Sequence, residues 1–185
     1  GIMGRLSDHS AQIERQKMTA TSEPVEGGCT CGHVRYTVLS KHMIVHCCHC
    51  RWCQRQTGSA FALNALIEAD RVQILSGNIE ALTVASPSGK GQIIARCPYC
   101  RVALWSHYHM SGLRERIHFI RVGTLDTPDL MPPDVHIYTC SKQPWVRLPE
   151  DAKVADRFYQ YEETWSPADL TRRAALFNAA GIASP

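Results

Sequence analysis

The chain has 185 residues, 44% hydrophobic and 20% charged, the size and balance of one globular domain. A formal net charge of +3, evenly spread, argues against a nucleic-acid partner. No run approaches the roughly 18 apolar residues of a membrane span, and the polar N-terminus has no secretory core, so the expectation is a cytoplasmic protein.

In chain order, residues 1–25 read as a disordered or tag-derived arm ending in Thr21-Ser22-Glu23-Pro24, with Met18 as good a native start as Met3. Its one hint of pattern is Leu6 and Ile13, which would face one side of a short helix opened by Ser7 or Asp8. From Gly27 short alternating strands take over: Val34–Val38, Phe61–Ile67, and Val72 with Ile74. Ile79–Val84 and Gln92–Arg96 flank Ser86-Pro87-Ser88-Gly89-Lys90-Gly91, a turn cluster that predicts a hairpin. Val102–Trp105, Arg116–Val122 and Val135–Thr139 complete the expected strands, and Gln54–Thr57 reads as a helical turn or tight loop. Ser166 as N-cap, Pro167 at the first helical position, Asp169 in the first turn and Gly181 at the end predict a C-terminal helix. Its apolar face would carry Leu170, Ala174 and Phe177, packed on the β body or on a second subunit. The expected architecture is mainly β: a single domain of short antiparallel sheets organised around zinc sites over 26–160, with a helical extension over 161–185.

Nine cysteines set this chain apart. Most stand in C-x-C and C-x-x-C units, which make poor disulfide partners for one another but good joint ligands for an ion. Cys29-Thr30-Cys31, flanked by glycines, and Cys97-Pro98-Tyr99-Cys100, between two strands, offer four thiolates for a closed structural zinc. Cys48, Cys50 and Cys53 offer three, which leaves an open position, the pattern of catalytic zinc. Cys47 would point away from its neighbour in an extended segment. With two zinc ions on seven thiolates the formal charge falls to about zero. Three thiolates weaken zinc as a Lewis acid toward water but suit it to holding an incoming thiol deprotonated, ready to attack an aldehyde. Against this stands a second structural zinc, closed by Cys47 or by His46 or His49. A glutaredoxin reading of Cys97–Cys100 fails because Val102-Ala103-Leu104-Trp105 reads as a strand, not a helix. A zinc-deaminase reading fails for want of His-x-Glu.

Gly27-Gly28-Cys29-x-Cys31-Gly32-x-Val34-Arg35-Tyr36, then Cys48-His49-Cys50-x-x-Cys53 with Gly58-Ser59-Ala60-Phe61, then Cys97-x-x-Cys100, resemble the glutathione-dependent formaldehyde-activating enzymes, a family that includes centromere protein V-like proteins. His136-Ile137-Tyr138 and Ser141-Lys142-x-Pro144-Trp145 match its C-terminal signature, so the resemblance spans about residues 27–148. It implies a mostly-β fold, a structural zinc on Cys29, Cys31, Cys97 and Cys100, and a second zinc on Cys48, Cys50 and Cys53. The implied activity joins glutathione to formaldehyde. In three places the chain departs from the family pattern. Arg101 replaces the usual glycine, Glu150-Asp151-Ala152-Lys153 replaces Asp-Gly-Leu-Pro, and the helix from Ser166 lies beyond the usual end. The last two would reshape a pocket rim.

The expected function is a carbon–sulfur lyase-type enzyme joining glutathione or a similar thiol to a small aldehyde, with a homodimer as a further expectation. Cys48, Cys50 and Cys53 would be catalytic. The rival is a zinc-stabilised binding or scaffold module. Arg51, Arg55 and Lys142 are candidates for the thiol's carboxylates, and Phe61, Trp105 and Trp145 for the core or a pocket wall. Cys47 and Cys140 read as small buried hydrophobes, and His107 and His109 as strand residues.

Overall fold

The computed structural model describes residues 23–109 and 112–184. The expected N-terminal arm and its Leu6–Ile13 stripe lie outside the described residues up to residue 22. Among the described residues, ten strands form two sheets. The smaller is β1 (Val25–Gly28), β2 (Arg35–Val38) and β5 (Val72–Ser76), antiparallel in the order β1-β2-β5. The larger has seven strands: β3 (Ile44–Cys48), β4 (Ala62–Glu68), β6 (Glu80–Val84), β7 (Gln92–Arg96), β8 (Ala103–Tyr108), β9 (Ile117–Arg121) and β10 (Val135–Ile137), in the order β10-β3-β4-β9-β8-β7-β6. The predicted hairpin is β6–β7, paired from Glu80↔Arg96 to Val84↔Gln92. One pairing departs from the expected antiparallel pattern: β10 runs parallel to β3. That is open to β10 because it starts only at Val135, far along the chain from the end of β3 at Cys48, and reaches the sheet by a long crossover rather than a hairpin.

Two strands, β1 and β3, were not among those expected, since neither carries an alternation to read. All five residues of β3 are buried, because both faces of that strand are covered. The neighbouring residues Ile44 and Val45 go to opposite cores. One core joins the two sheets through Val34, Tyr36, Val38, Ile67, Leu104 and Ile120. The other lies on the far face of the large sheet, where Ile44, Leu66, Ile117 and Ile137 meet Trp165 and Phe177 of the C-terminal segment.

Helix α1 (Arg51–Thr57) follows β3; α2 (Tyr161–Thr164) and α3 (Pro167–Ala180) close the chain. Ser166 caps α3 by accepting from Asp169 N–H at 3.1 Å, and Gly181 ends it at φ 67°. Ile182 N–H donating to Phe177 O at 3.2 Å completes the turn. Helix α3 lies on the β body, held by Arg172, whose Nε and Nη2 donate to both oxygens of buried Glu68 at 2.8 and 2.5 Å. The expected apolar stripe needs one correction. Ala174 is exposed, and the inward place goes to Arg173, whose guanidinium stacks 3.8 Å from the Tyr161 ring centroid and 4.7 Å from that of Phe177. A long cation can bury its stem and stack its head, a choice that a hydrophobicity pattern does not show. Among the described residues, no helix is long and apolar enough to cross a membrane.

Candidate metal centres and the adjoining cavity

The first cysteine group is assembled from two turns far apart in sequence. Cys29 and Cys31 sit between β1 and β2, where Gly32 takes φ 77° and a Cβ on Gly28 would lie 2.5 Å from Val34 O. Cys97 and Cys100 sit between β7 and β8, where Arg101 takes φ 64° in the place that Gly32 fills in the first turn. The left-handed backbone explains why glycine is usual there and shows that Arg101 carries the strain instead. Each turn is tied by its own ladder: Cys29 N–H donates to Val34 O and Cys97 N–H to Val102 O, at 3.1 and 3.0 Å. The sulfurs converge, with Cys29 to Cys31 at 3.5 Å, Cys31 to Cys97 at 3.7 Å, and all four within 4.8 Å of one another. Zinc–sulfur bonds of about 2.3 Å place tetrahedral sulfurs about 3.8 Å apart, so this donor set fits one metal ion. The backbone N–H groups of Val102 and Cys31 hold the Cys100 thiol down to about 6, toward the thiolate that a metal requires.

The second group is local. Strand β3 delivers Cys48, and the chain then turns into α1. The Cys50 sulfur is the N-cap, accepting from Cys53 N–H at 3.3 Å, so the C-x-x-C spacing is the first turn of a helix. The loop is pinned through His49, whose carbonyl accepts from Gln54 Nε2 at 2.7 Å and from Ser141 Oγ at 3.0 Å. Its N–H donates to Ile137 O of β10. The three sulfurs of Cys48, Cys50 and Cys53 lie within 4.8 Å of one another and could hold one ion. Hydrogen bonds from Cys48 and Cys53 draw the Cys50 thiol well below its ordinary value, while sharing those protons pushes Cys48 up. One of the three is therefore primed as a thiolate.

Cys47 does point the other way. Its sulfur lies 3.5 Å from His49 Nε2, which lies 3.0 Å from His136 Nδ1, and all three side chains are buried. These atoms form a separate cluster that ties β3 to β10 and could itself hold an ion. Neither Cys47 nor His49 groups with the three-sulfur set. His46 instead meets the Tyr159 hydroxyl at 2.6 Å, and burial holds its imidazole down to about 3, hence neutral.

Cys48, Cys50 and Cys53 line a cavity of about 400 Å³. Its walls come from α1, the large sheet and the C-terminal segment, and include Trp52, Tyr108, Phe119, Tyr138, Tyr161 and Phe177. Tyr138 stands at φ 55°, a strained backbone at the cavity edge. Sequence reasoning missed the cation beside the cysteines of this site. Arg121 lies in the wall, paired across strands with Asn64, to whose Oδ1 its Nη1 donates at 2.5 Å. Burial depresses its pKa, and the charges of Cys53 and Cys48 work the other way, so the guanidinium sits within the field of the cysteines. No spacing rule could have found it, because β9 reaches the site only through the sheet order.

The candidate carboxylate partners lie elsewhere. Arg51 and Arg55 line a separate depression with Trp145. The Lys142 ammonium donates to the carbonyls of Gln143 and Val146. Of the aromatic candidates, Trp105 is core and Phe61 packs on the His49 ring at 5.5 Å, while Trp145 is 68% exposed and so is not a core residue. Cys140 is likewise exposed, on a 3-10 turn after β10, rather than buried as expected. His107 is buried in β8, with Nδ1 3.0 Å from Ile117 O.

A "Putative glutathione-dependent formaldehyde-activating enzyme" of Halomonas elongata is 27% identical over 157 residues, 82% of this chain and 97% of the relative. A Rhodobacter sphaeroides protein of known crystal structure aligns over 55% of this chain and 87% of its own, with a TM-score of 0.40 and 16% identity. The family profile described as glutathione-dependent formaldehyde-activating enzyme matches residues 24–141, a span that contains every cysteine of both converging groups. With well over half its length matched, the chain belongs to the glutathione-dependent formaldehyde-activating enzyme family.

Proposed function

We propose that the chain is a zinc-dependent carbon–sulfur lyase-type enzyme that joins a small thiol, glutathione or similar, to formaldehyde or another small aldehyde. The observation that carries this reading is the convergence of Cys48, Cys50 and Cys53, without a fourth cysteine, on the wall of a ligand-sized cavity. Zinc held by three thiolates supplies one position for an incoming thiol and favours its deprotonated form. Zinc on Cys29, Cys31, Cys97 and Cys100 would be structural.

The remaining work falls to side chains. Arg121 offsets the negative charge that three thiolates and a bound fourth would build up. Burial and the charges of Cys48, Cys50 and Cys53 raise the Tyr108 and Tyr138 pKa values, so both phenols keep their protons at neutral pH and can donate to the oxygen of a reacting carbonyl. In the net reaction a C–S bond forms, the carbonyl π bond is lost, and the proton released by the thiol ends on the former carbonyl oxygen. Apolar walls exclude competing water.

The test is exchange NMR of glutathione and formaldehyde with and without zinc-loaded protein. Acceleration that disappears in Cys50→Ser supports the reading. No acceleration with any small thiol overturns it in favour of a zinc-stabilised scaffold.

A further inference from the structure

The cavity has a character that the thiol's sulfur alone does not explain. Its lining contains no Asp or Glu. Two guanidiniums stand in its wall, Arg121 and Arg173, and the Trp52 indole N–H is buried with no partner among the described residues. An oxygen acceptor would be welcome here, whereas an ammonium group would lose its water and find no carboxylate. Formaldehyde fills little of about 400 Å³, so the thiol must bring a body of its own.

The walls that would meet that body are aromatic, and four of them come from one stretch of chain. Phe158, Tyr161, Trp165 and Phe177 all line the cavity, and all lie beyond residue 141, where the family match ends. The stretch is firmly placed. Tyr138 N–H donates to Arg157 O at 2.8 Å, Trp165 Nε1 donates to Tyr159 OH at 2.7 Å, and Phe158 stacks on Tyr159 with centroids 4.4 Å apart.

Resting on the function proposed above, we infer that the C-terminal segment 158–177 makes this cavity selective for thiols with an aromatic or branched apolar body and no ammonium group, over zwitterionic peptide thiols such as glutathione. Face-to-edge and stacked contacts with the aromatic walls would hold the body, and burial of its apolar surface would supply the affinity.

Calorimetric titration of zinc-loaded protein with benzyl mercaptan and with glutathione tests this. Benzyl mercaptan should bind at least about tenfold tighter, with a negative heat-capacity change. Phe158→Ala removes a wall residue that is 37% exposed, so the fold should tolerate it. It should weaken benzyl mercaptan about tenfold and leave glutathione within about twofold. Equal or tighter glutathione binding overturns the selectivity, and if adduct formation is then accelerated, the enzymatic reading stands without it. Tight benzyl mercaptan binding without acceleration of its formaldehyde adduct keeps the selectivity and overturns the enzymatic reading. Binding of neither thiol overturns both.

Discussion

The two converging cysteine groups use the same two motifs, and the difference lies in whether the motifs are separate or overlapping. In the first, C-x-C and C-x-x-C stand apart at Cys29–Cys31 and Cys97–Cys100, and together present four sulfurs. In the second they share Cys50, so Cys48, Cys50 and Cys53 present three. Separation makes the first group a clasp: Cys31 and Cys97 are 66 residues apart, and an ion there ties the small sheet to the β7–β8 turn. Overlap makes the second group local, needing only β3 and the first turn of α1, and its sulfurs line a cavity. On the proposed reading, a long-range clasp would hold the fold, whereas a local group on a cavity wall would be free to do chemistry.

The sharpest way to break this comparison is to make the same substitution in each group. Cys97→Ser should cost the clasp, on the order of 10 kcal/mol of metal-coupled folding energy, so circular dichroism should show no cooperative native melt. A melt lowered by only a few degrees would remove the structural role. Cys50→Ser should instead lose one metal equivalent and all adduct-forming activity. Its melting temperature should stay within a few degrees, because serine also caps a helix well. Metal analysis beside a thermal melt reads both; unfolding would show that the second group is structural too.

Acid probes the sheet that joins the two groups. His118 lies on the large sheet, stacked on Trp105 at 4.9 Å, and burial, with the neighbouring His107, lowers its pKa from 6.5 to about 3. The unfolded chain therefore binds a proton that the folded chain refuses between those values. The stability from keeping this imidazole neutral is complete above pH 6.5 and is lost as pH falls toward 3, with a slope of up to about 1.4 kcal/mol per pH unit. Denaturant titrations of His118→Gln across that range should show a shallower acid dependence, and an unchanged slope would assign the dependence elsewhere.

The smallest expected effect is at Arg101, which holds φ 64° where the matching turn has Gly32. Arg101→Gly should stabilise the protein by about 0.5–1 kcal/mol, relief of left-handed strain outweighing a lost surface ion pair with Glu80. A destabilised variant would mean that the ion pair anchors the clasp.

Much of the molecule was legible in the chain because it is written in local spacing. Ser166, Pro167, Asp169 and Gly181 specify α3 through hydrogen bonds within a few residues. The Ser86–Gly91 turn places β6 against β7. The donor sets follow from C-x-C and C-x-x-C, and even Cys47 was legible, since neighbours on an extended strand point apart.

What only the tertiary structure decided is what stands around those sulfurs. Arg121 reaches the cysteines because β9 lies beside β4, and β4 beside β3. Arg173 is inward because Tyr161 and Phe177 supply ring faces for it. Phe158 and Trp165 wall the cavity, while Trp145, one of the three expected candidates, faces solvent. The physical reason is one of range. Metal-ligand spacing, capping and turn chemistry act over a few residues and are carried by the sequence itself. The walls and charge of a cavity depend on which distant segments become neighbours, and that is settled only when the sheets and the C-terminal segment pack.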